Sequence, residues 1–304
     1  MKGEDIFTRG QNTLLKIVLF FRKEDGTILL ANTKKKGYYI TGNEAKRREN
    51  MYACVMGSNI HYDIVGSGKT ILLLHGWGAP FQIYQKLTGT LAEHYRMILL
   101  DFPGFGQSDE PAEAWNVSDY ADFVLEFLKE IKEQPEILLV HSFGGRVAIK
   151  LLSEKKEKCE FVKKAVFMDA AGVKNKKGIR QRYKEATYKL AKKVYSIPIV
   201  SKMYPDLLDE MRAKRGSSDY QNASPVMRQI LVKAVNEDQT GELHRIPVPV
   251  LLLWGDKDTA TPLYQAKVME REIESTELVV LEGASHFSFL EQTPEAVAAI
   301  EAFL

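Results

Sequence analysis

Cysteine is scarce in this sequence: Cys54 and Cys159 are the only two in 304 residues, far apart and in no Cys-x-x-Cys or Cys/His arrangement. That argues against a disulfide framework and against a zinc site, and points to a reducing, cytoplasmic setting. No cofactor or metal is implied by any motif. A long apolar run is missing too. The stretch Leu14 to Phe21 is interrupted by Lys16 and followed at once by Arg22-Lys23-Glu24-Asp25, short of the roughly 20 residues that a spanning helix needs. No small-residue cleavage site follows it, so neither a membrane span nor export is expected. Net charge is nearly absent, 42 basic against 40 acidic residues giving +2, so nothing attracts the chain generally to nucleic acid or an anionic membrane. With 45% hydrophobic and 27% charged residues, the composition is that of a globular protein and excludes collagen, coiled coil and disorder.

Charge is present but unevenly placed. Residues 1 to 56 hold 11 basic and 6 acidic groups and residues 172 to 241 hold 15 and 7, while the remainder holds 16 and 27. Two basic segments thus flank or interrupt an acidic body, as appended or inserted pieces with their own surfaces would. Leu14 to Phe21 and Thr27 to Ala31 are β-favouring runs around Asp25-Gly26, a hairpin turn signal. The continuation through Lys34 to Tyr39 resembles the opening hairpin of Nudix hydrolases but lacks their acidic box, and implies no function. We therefore expect an N-terminal extension over 1–50, of unknown role, with a domain boundary near residue 50.

From Tyr52 the chain changes rhythm. Tyr52 to Met56 and Ile60 to Val65 alternate as a hairpin. Apolar runs follow at Ile71 to Leu74, Met97 to Leu100, Ile137 to Val140, Ala165 to Met168, Val250 to Leu253 and Leu278 to Leu281. Helical patterns lie between them at about 81–93, 118–132, 144–156, 262–272 and 294–304. Continuous apolar strands separated by amphipathic helices predict an α/β fold, a mostly parallel central sheet covered on both faces. Its reactive groups belong in loops after the carboxyl ends of the strands. Residues 172–241 break the rhythm with Lys- and Tyr-rich helical stretches and Pro198, Pro205 and Pro225, and read as a helical cap or lid inserted into a core of 51–171 and 242–304.

Chemistry enters at His141-Ser142-Phe143-Gly144-Gly145, where a strand runs directly into a helix. A Ser on such a turn presents its hydroxyl at the sheet edge, a nucleophile elbow. Val140 occupies the first Gly position of the usual Gly-x-Ser-x-Gly, where a β-branched residue is expected to crowd the turn. His75-Gly76-Trp77-Gly78 follows another strand, and the backbone N–H groups of Trp77 and Phe143 are the candidate oxyanion donors. Trp254-Gly255-Asp256-Lys257-Asp258 offers a carboxylate in a third strand-end loop and Gly283-Ala284-Ser285-His286-Phe287 an imidazole in a fourth. The order Ser142, Asp258, His286 is nucleophile, acid, base.

These motifs, with Asp101-Phe102-Pro103-Gly104-Phe105-Gly106-Gln107-Ser108, resemble the α/β-hydrolase fold superfamily from about residue 52 to the C-terminus. The resemblance implies a lid-bearing, esterase-like serine hydrolase acting on a small-molecule ester or thioester through an acyl-enzyme. Asp258 is favoured over Asp256 by the family's Gly-x-x-Asp spacing, and Asp169 is second choice because some members supply the acid from there. Trp77, Phe143 and Phe287 are candidates for lining the acyl pocket. His75 is expected to brace its loop, His141 to pack or bond locally, and His61, His94 and His244 to be structural or surface residues. Ten Lys or Arg against Glu185 alone in 173–204 suit a solvated helix face or an anionic acyl carrier docking on the cap. A carbon-carbon bond hydrolase of the same fold ranks lower, its oxyanion loop being richer in Gly and Pro. A ligand sensor retaining the fold is the non-enzyme alternative.

Overall fold

The computed structural model describes residues 51–175 and 218–304, together with the strands at 18–22, 28–32 and 35–40. Contacts divide the chain into two units, Met1–Glu49 and Asn50–Leu304. In the first, β1 (Val18–Arg22), β2 (Ile28–Asn32) and β3 (Lys35–Ile40) form an antiparallel sheet in that order. Strand β3 is one more than the hairpin signal announces, and the turn residues Asp25-Gly26 lie outside the described residues.

The second unit is built on an eight-stranded sheet. Its strands are β4 (Met51–Val55), β5 (Ser58–Val65), β6 (Thr70–Leu74), β7 (Arg96–Leu100), β8 (Ile137–His141), β9 (Lys164–Met168), β10 (Val250–Gly255) and β11 (Thr276–Leu281). Their spatial order is β11-β10-β9-β8-β6-β7-β5-β4. All neighbours are parallel except β4 with β5 and β5 with β7, the antiparallel start.

Period-two geometry explains the continuous apolar runs, because both faces of the sheet are covered. Ile71 and Leu73 of β6 face one apolar cluster, Leu72 and Leu74 the other; Ile137 and Leu139 divide from Leu138 and Val140 in the same way. Helices α1 (Gln85–Leu91) and α8 (Thr293–Phe303) cover the first face through Leu87, Leu91, Ala296 and Ile300. The other face is covered by α2 (Val117–Glu130), α3 (Phe143–Ser153) and α6 (Tyr264–Glu272) through Phe123, Val147 and Ala266. A capping box starts α2: the Asn116 side chain accepts from Asp119 N–H and the Asp119 carboxylate accepts from Asn116 N–H.

The helical cap expected at 172–241 falls, for residues 176–217, outside the described residues. Its later part forms α4 (Ser218–Asn222) and α5 (Pro225–Asn236), the latter capped by Ser224 with Pro225 in its first turn. The short helix α7 (Ser288–Glu291) follows β11. Among the described residues, no helix is long and apolar enough to cross a membrane.

Candidate active site

The loops after β6, β8, β9, β10 and β11 meet at one end of the sheet, where an open α/β sheet presents its strand carboxyl ends. Ser142 stands between β8 and α3 with φ 48° and ψ −111°, a left-handed backbone held at a cost of about 1–3 kcal/mol by its surroundings. Close packing enforces the turn. A Cβ at Gly144 would come within 2.0 Å of the Leu74 carbonyl oxygen, and one at Gly145 within 2.6 Å of Ala170 Cβ, so only glycine lets α3 approach this closely. Val140 does not crowd the turn as expected. It is an ordinary residue of β8, fully buried and in parallel register with Leu74 and Phe167, where a branched side chain suits the strand.

Ser142 Oγ lies 3.0 Å from His286 Nε2, and His286 Nδ1 lies 2.8 Å from Asp258 Oδ2. Asp258 is buried, and its Oδ1 accepts from Ala260 N–H at 2.7 Å and Thr261 N–H at 2.9 Å. The Thr261 hydroxyl donates to Oδ2 at 2.6 Å. Burial alone would raise this carboxyl, but the hydrogen bond and charge of His286 and the Thr261 donors outweigh it and hold Asp258 below its ordinary value. An ionised Asp258 accepts from Nδ1–H, which fixes the tautomer and leaves Nε2 free to accept the Ser142 hydroxyl proton.

The rival acids face elsewhere. Asp256 pairs with Lys257 Nζ at 2.8 Å and accepts from Gly283 N–H. Fully buried Asp169 accepts from Gly255 N–H at 2.9 Å and from the Ser288 amide and hydroxyl at 3.1 and 2.6 Å. It ties β9 to the loops carrying Asp258 and His286.

A cavity of about 600 Å³ opens over Ser142, with Gly76, Trp77, Phe143, His286 and Phe287 in its wall. Trp77 and Phe143 pack edge to face at 5.5 Å. Neither backbone N–H bonds to another described residue, and Phe143 is the first residue of α3, so its N–H is one of the free donors at the positive end of the helix dipole. No group of three or more His, Cys, Asp or Glu among the described residues is arranged to hold a metal ion.

His75 braces its loop: Nδ1–H donates to Gly76 C=O at 2.7 Å and Nε2 accepts from Phe102 N–H at 2.8 Å. His61, with no motif to mark it, is a buried partner of Asp101 at 2.8 Å. His141 bonds far beyond its own surroundings, to Tyr84 and to the main chain of His286. Thr261 and Tyr84 are the contributors the motifs do not name. Thr261 carries a local signal, three residues after an Asp in a Pro-bearing turn, whereas Tyr84 carries none.

The sequence profile of the alpha/beta hydrolase family matches residues 71–300. The chain is 26% identical over 257 residues to the AB hydrolase superfamily protein YisY of Bacillus subtilis, covering 79% of this chain and 92% of that one. It is 25% identical over 246 residues to the pimeloyl-[acyl-carrier protein] methyl ester esterase of Vibrio campbellii, covering 77% of this chain and 94% of that one. Among solved structures, the esterase from Exiguobacterium antarcticum superposes with a TM-score of 0.65 at 26% identity, over 84% of this chain and 99% of that one. Sheet order, the strained turn at Ser142 and a profile match over most of the polypeptide agree, and the chain belongs to the alpha/beta hydrolase family.

Proposed function

We propose that this protein is a serine hydrolase cleaving an ester or thioester of a small to medium acyl group, with Ser142 as nucleophile, His286 as general base and Asp258 as the acid that orients it. The observation that carries the reading is the hydrogen-bonded series Ser142 Oγ, His286 Nε2, His286 Nδ1, Asp258 Oδ2, with steps of 3.0 and 2.8 Å around the ring, beside a cavity. Ser142 Oγ attacks the acyl carbon as its proton passes to His286 Nε2, and Asp258 stabilises the imidazolium. Trp77 and Phe143 N–H hold the resulting oxyanion, each donor contributing about 3 kcal/mol. The leaving alcohol or thiol takes the proton from Nε2. Water then adds to the acyl-enzyme, its proton going to Nε2, and Ser142 is regenerated as the acid departs.

A cavity of about 600 Å³ suits a small organic ester, and its Trp77, Phe143 and Phe287 rings suit an apolar acyl chain. The esterases among the relatives support the same reading. A fluorophosphonate probe should label the protein, Ser142→Ala should abolish labelling, and a short ester should turn over many times. Labelling of Ser142→Ala would sink the assignment; labelling without turnover would leave a sensor, and turnover of a carbon-carbon substrate alone would replace the ester reading.

The substrate can be taken one step further. Ten basic residues against one acid in 173–204, with pimeloyl-[acyl-carrier protein] methyl ester esterases among the relatives, support docking of an anionic acyl carrier. The KM for a carrier-linked ester should then rise with salt while that for a neutral ester of the same acyl group holds steady. An equal response of both substrates excludes the carrier.

A further inference from the structure

Behind the site runs a second series of hydrogen bonds, among groups that take no part in the chemistry. Gly76 N–H donates to Tyr84 Oη at 2.9 Å, Tyr84 Oη lies 2.8 Å from His141 Nδ1, and His141 Nε2 lies 2.8 Å from the His286 carbonyl oxygen. Tyr84 is fully buried and His141 is 1% exposed, so their polar atoms depend on these hydrogen bonds. The Tyr84 ring stacks on Phe289, with centroids 4.8 Å apart and planes 4° from parallel.

The protons follow from the two fixed ends of the series, a backbone donor and a carbonyl acceptor, around a neutral ring. A backbone N–H only donates, so the Tyr84 oxygen accepts from Gly76 and sends its own proton to His141 Nδ1. Nδ1 is therefore the acceptor nitrogen and the ring proton sits on Nε2, where it donates to the His286 carbonyl. The opposite tautomer would set the Nε2 lone pair against that carbonyl and leave the Tyr84 proton without an acceptor. Burial, with the nearby His286, pulls the His141 imidazole down to about 3, so the ring is neutral at ordinary pH. That neutrality matters, because its centroid lies 5.0 Å from that of His286, and a second cation there would oppose the imidazolium formed during attack.

The two ends of this series are informative. Gly76 immediately precedes Trp77, a proposed oxyanion donor, and the accepting carbonyl belongs to the residue whose ring reaches Ser142. We propose that Tyr84 and His141 are positioning residues that hold the main chain of His286 at a fixed distance from the oxyanion loop. The inference rests on the serine hydrolase reading above. Acyl transfer depends on sub-ångström placement of base and oxyanion donor, and the series couples segments that are otherwise separate loops at the ends of β6, β8 and β11.

The test uses the full chain, well below the unfolding midpoint of each variant. The second-order rate of fluorophosphonate labelling is read beside kcat and KM for a short ester. Tyr84→Phe keeps the stacked ring and removes the hydroxyl; it should slow labelling and kcat by about tenfold or more with KM nearly unchanged. His141→Gln keeps an N–H able to reach the His286 carbonyl and should outperform His141→Phe, which fills the space without a donor. A purely structural role would lower the unfolding midpoint while leaving the rates of folded protein alone. Wild-type labelling rates in Tyr84→Phe, or equal rates in His141→Gln and His141→Phe, would overturn the proposal. Absence of labelling in the wild-type protein would instead overturn the hydrolase reading on which it rests.

Discussion

Asp169 combines three donors, a backbone at φ 44° and complete burial. Burial is the largest influence on its carboxyl and raises it to about 7, against the Ser288 and Gly255 donors that favour the anion. An acid raised in the folded state keeps a proton that the unfolded chain has already released. The contribution of Asp169 to stability therefore falls as pH rises from about 4 to about 7 and changes no further above that window, by at most a few kcal/mol. Asp169→Asn cannot titrate, so the wild-type advantage over it should shrink across that window in denaturant unfolding followed at several pH values. A constant difference from pH 4 to pH 8 would show that the carboxyl is not raised. Ser142, Asp258 and His286 are legible in the sequence because each follows an apolar strand in a glycine-bearing turn. Their supports are not, since Tyr84 lies 57 positions from His141, and His141 lies 145 from the carbonyl it holds.

Among the elements, α3 illustrates how the chain places polar contacts away from the chemistry. Lys150, 6% exposed on this helix, meets carboxylate oxygens of Glu154, Glu237 and Glu242, each at 2.8 Å. Arg146, one turn after Ser142, donates to the Glu237 carbonyl at 3.0 Å, and the Gln239 amide donates to the Arg146 carbonyl at 2.9 Å. Helix α3, which Ser142 precedes, is thus pinned to residues 237–242, where the chain returns toward β10. Lys150→Met would leave three partly exposed carboxylates facing one another, and a loss of roughly 2–3 kcal/mol is expected in denaturant unfolding. A loss below about 0.5 kcal/mol would mean that solvent screens the cluster as it screens a surface pair. Strands β6 to β10 are readable in advance because double-sided burial makes each run apolar, β4 and β5 because their residues alternate as a hairpin, and the period of 3.6 marks the helices between. Strand β3 escapes this logic: Lys35-Lys36-Gly37 opens it with charge and a residue of low strand propensity, and its pairing with β2 supplies what propensity does not.

At the scale of the molecule, the two contact units bear on where function resides. Residues 50–304 carry both apolar clusters of the main sheet, from Ala53 on β4 to Ile300 on α8, and every residue assigned to the reaction. That length is enough for a core of its own. The edge strand β4 pairs with β5 over Met51 to Val55, and its inward side chains Ala53 and Val55 are buried in the same cluster as Phe127 and Val140. We therefore propose that residue 50 is a true domain boundary, with the reaction confined to the larger unit. A chain beginning at Asn50 should unfold in one cooperative transition and react with a fluorophosphonate at Ser142 within about twofold of the full-length rate. Loss of cooperative unfolding would show that the first unit contributes to the core. Cooperative unfolding with a labelling rate lowered by about tenfold or more would give residues 1–49 a part in the site instead.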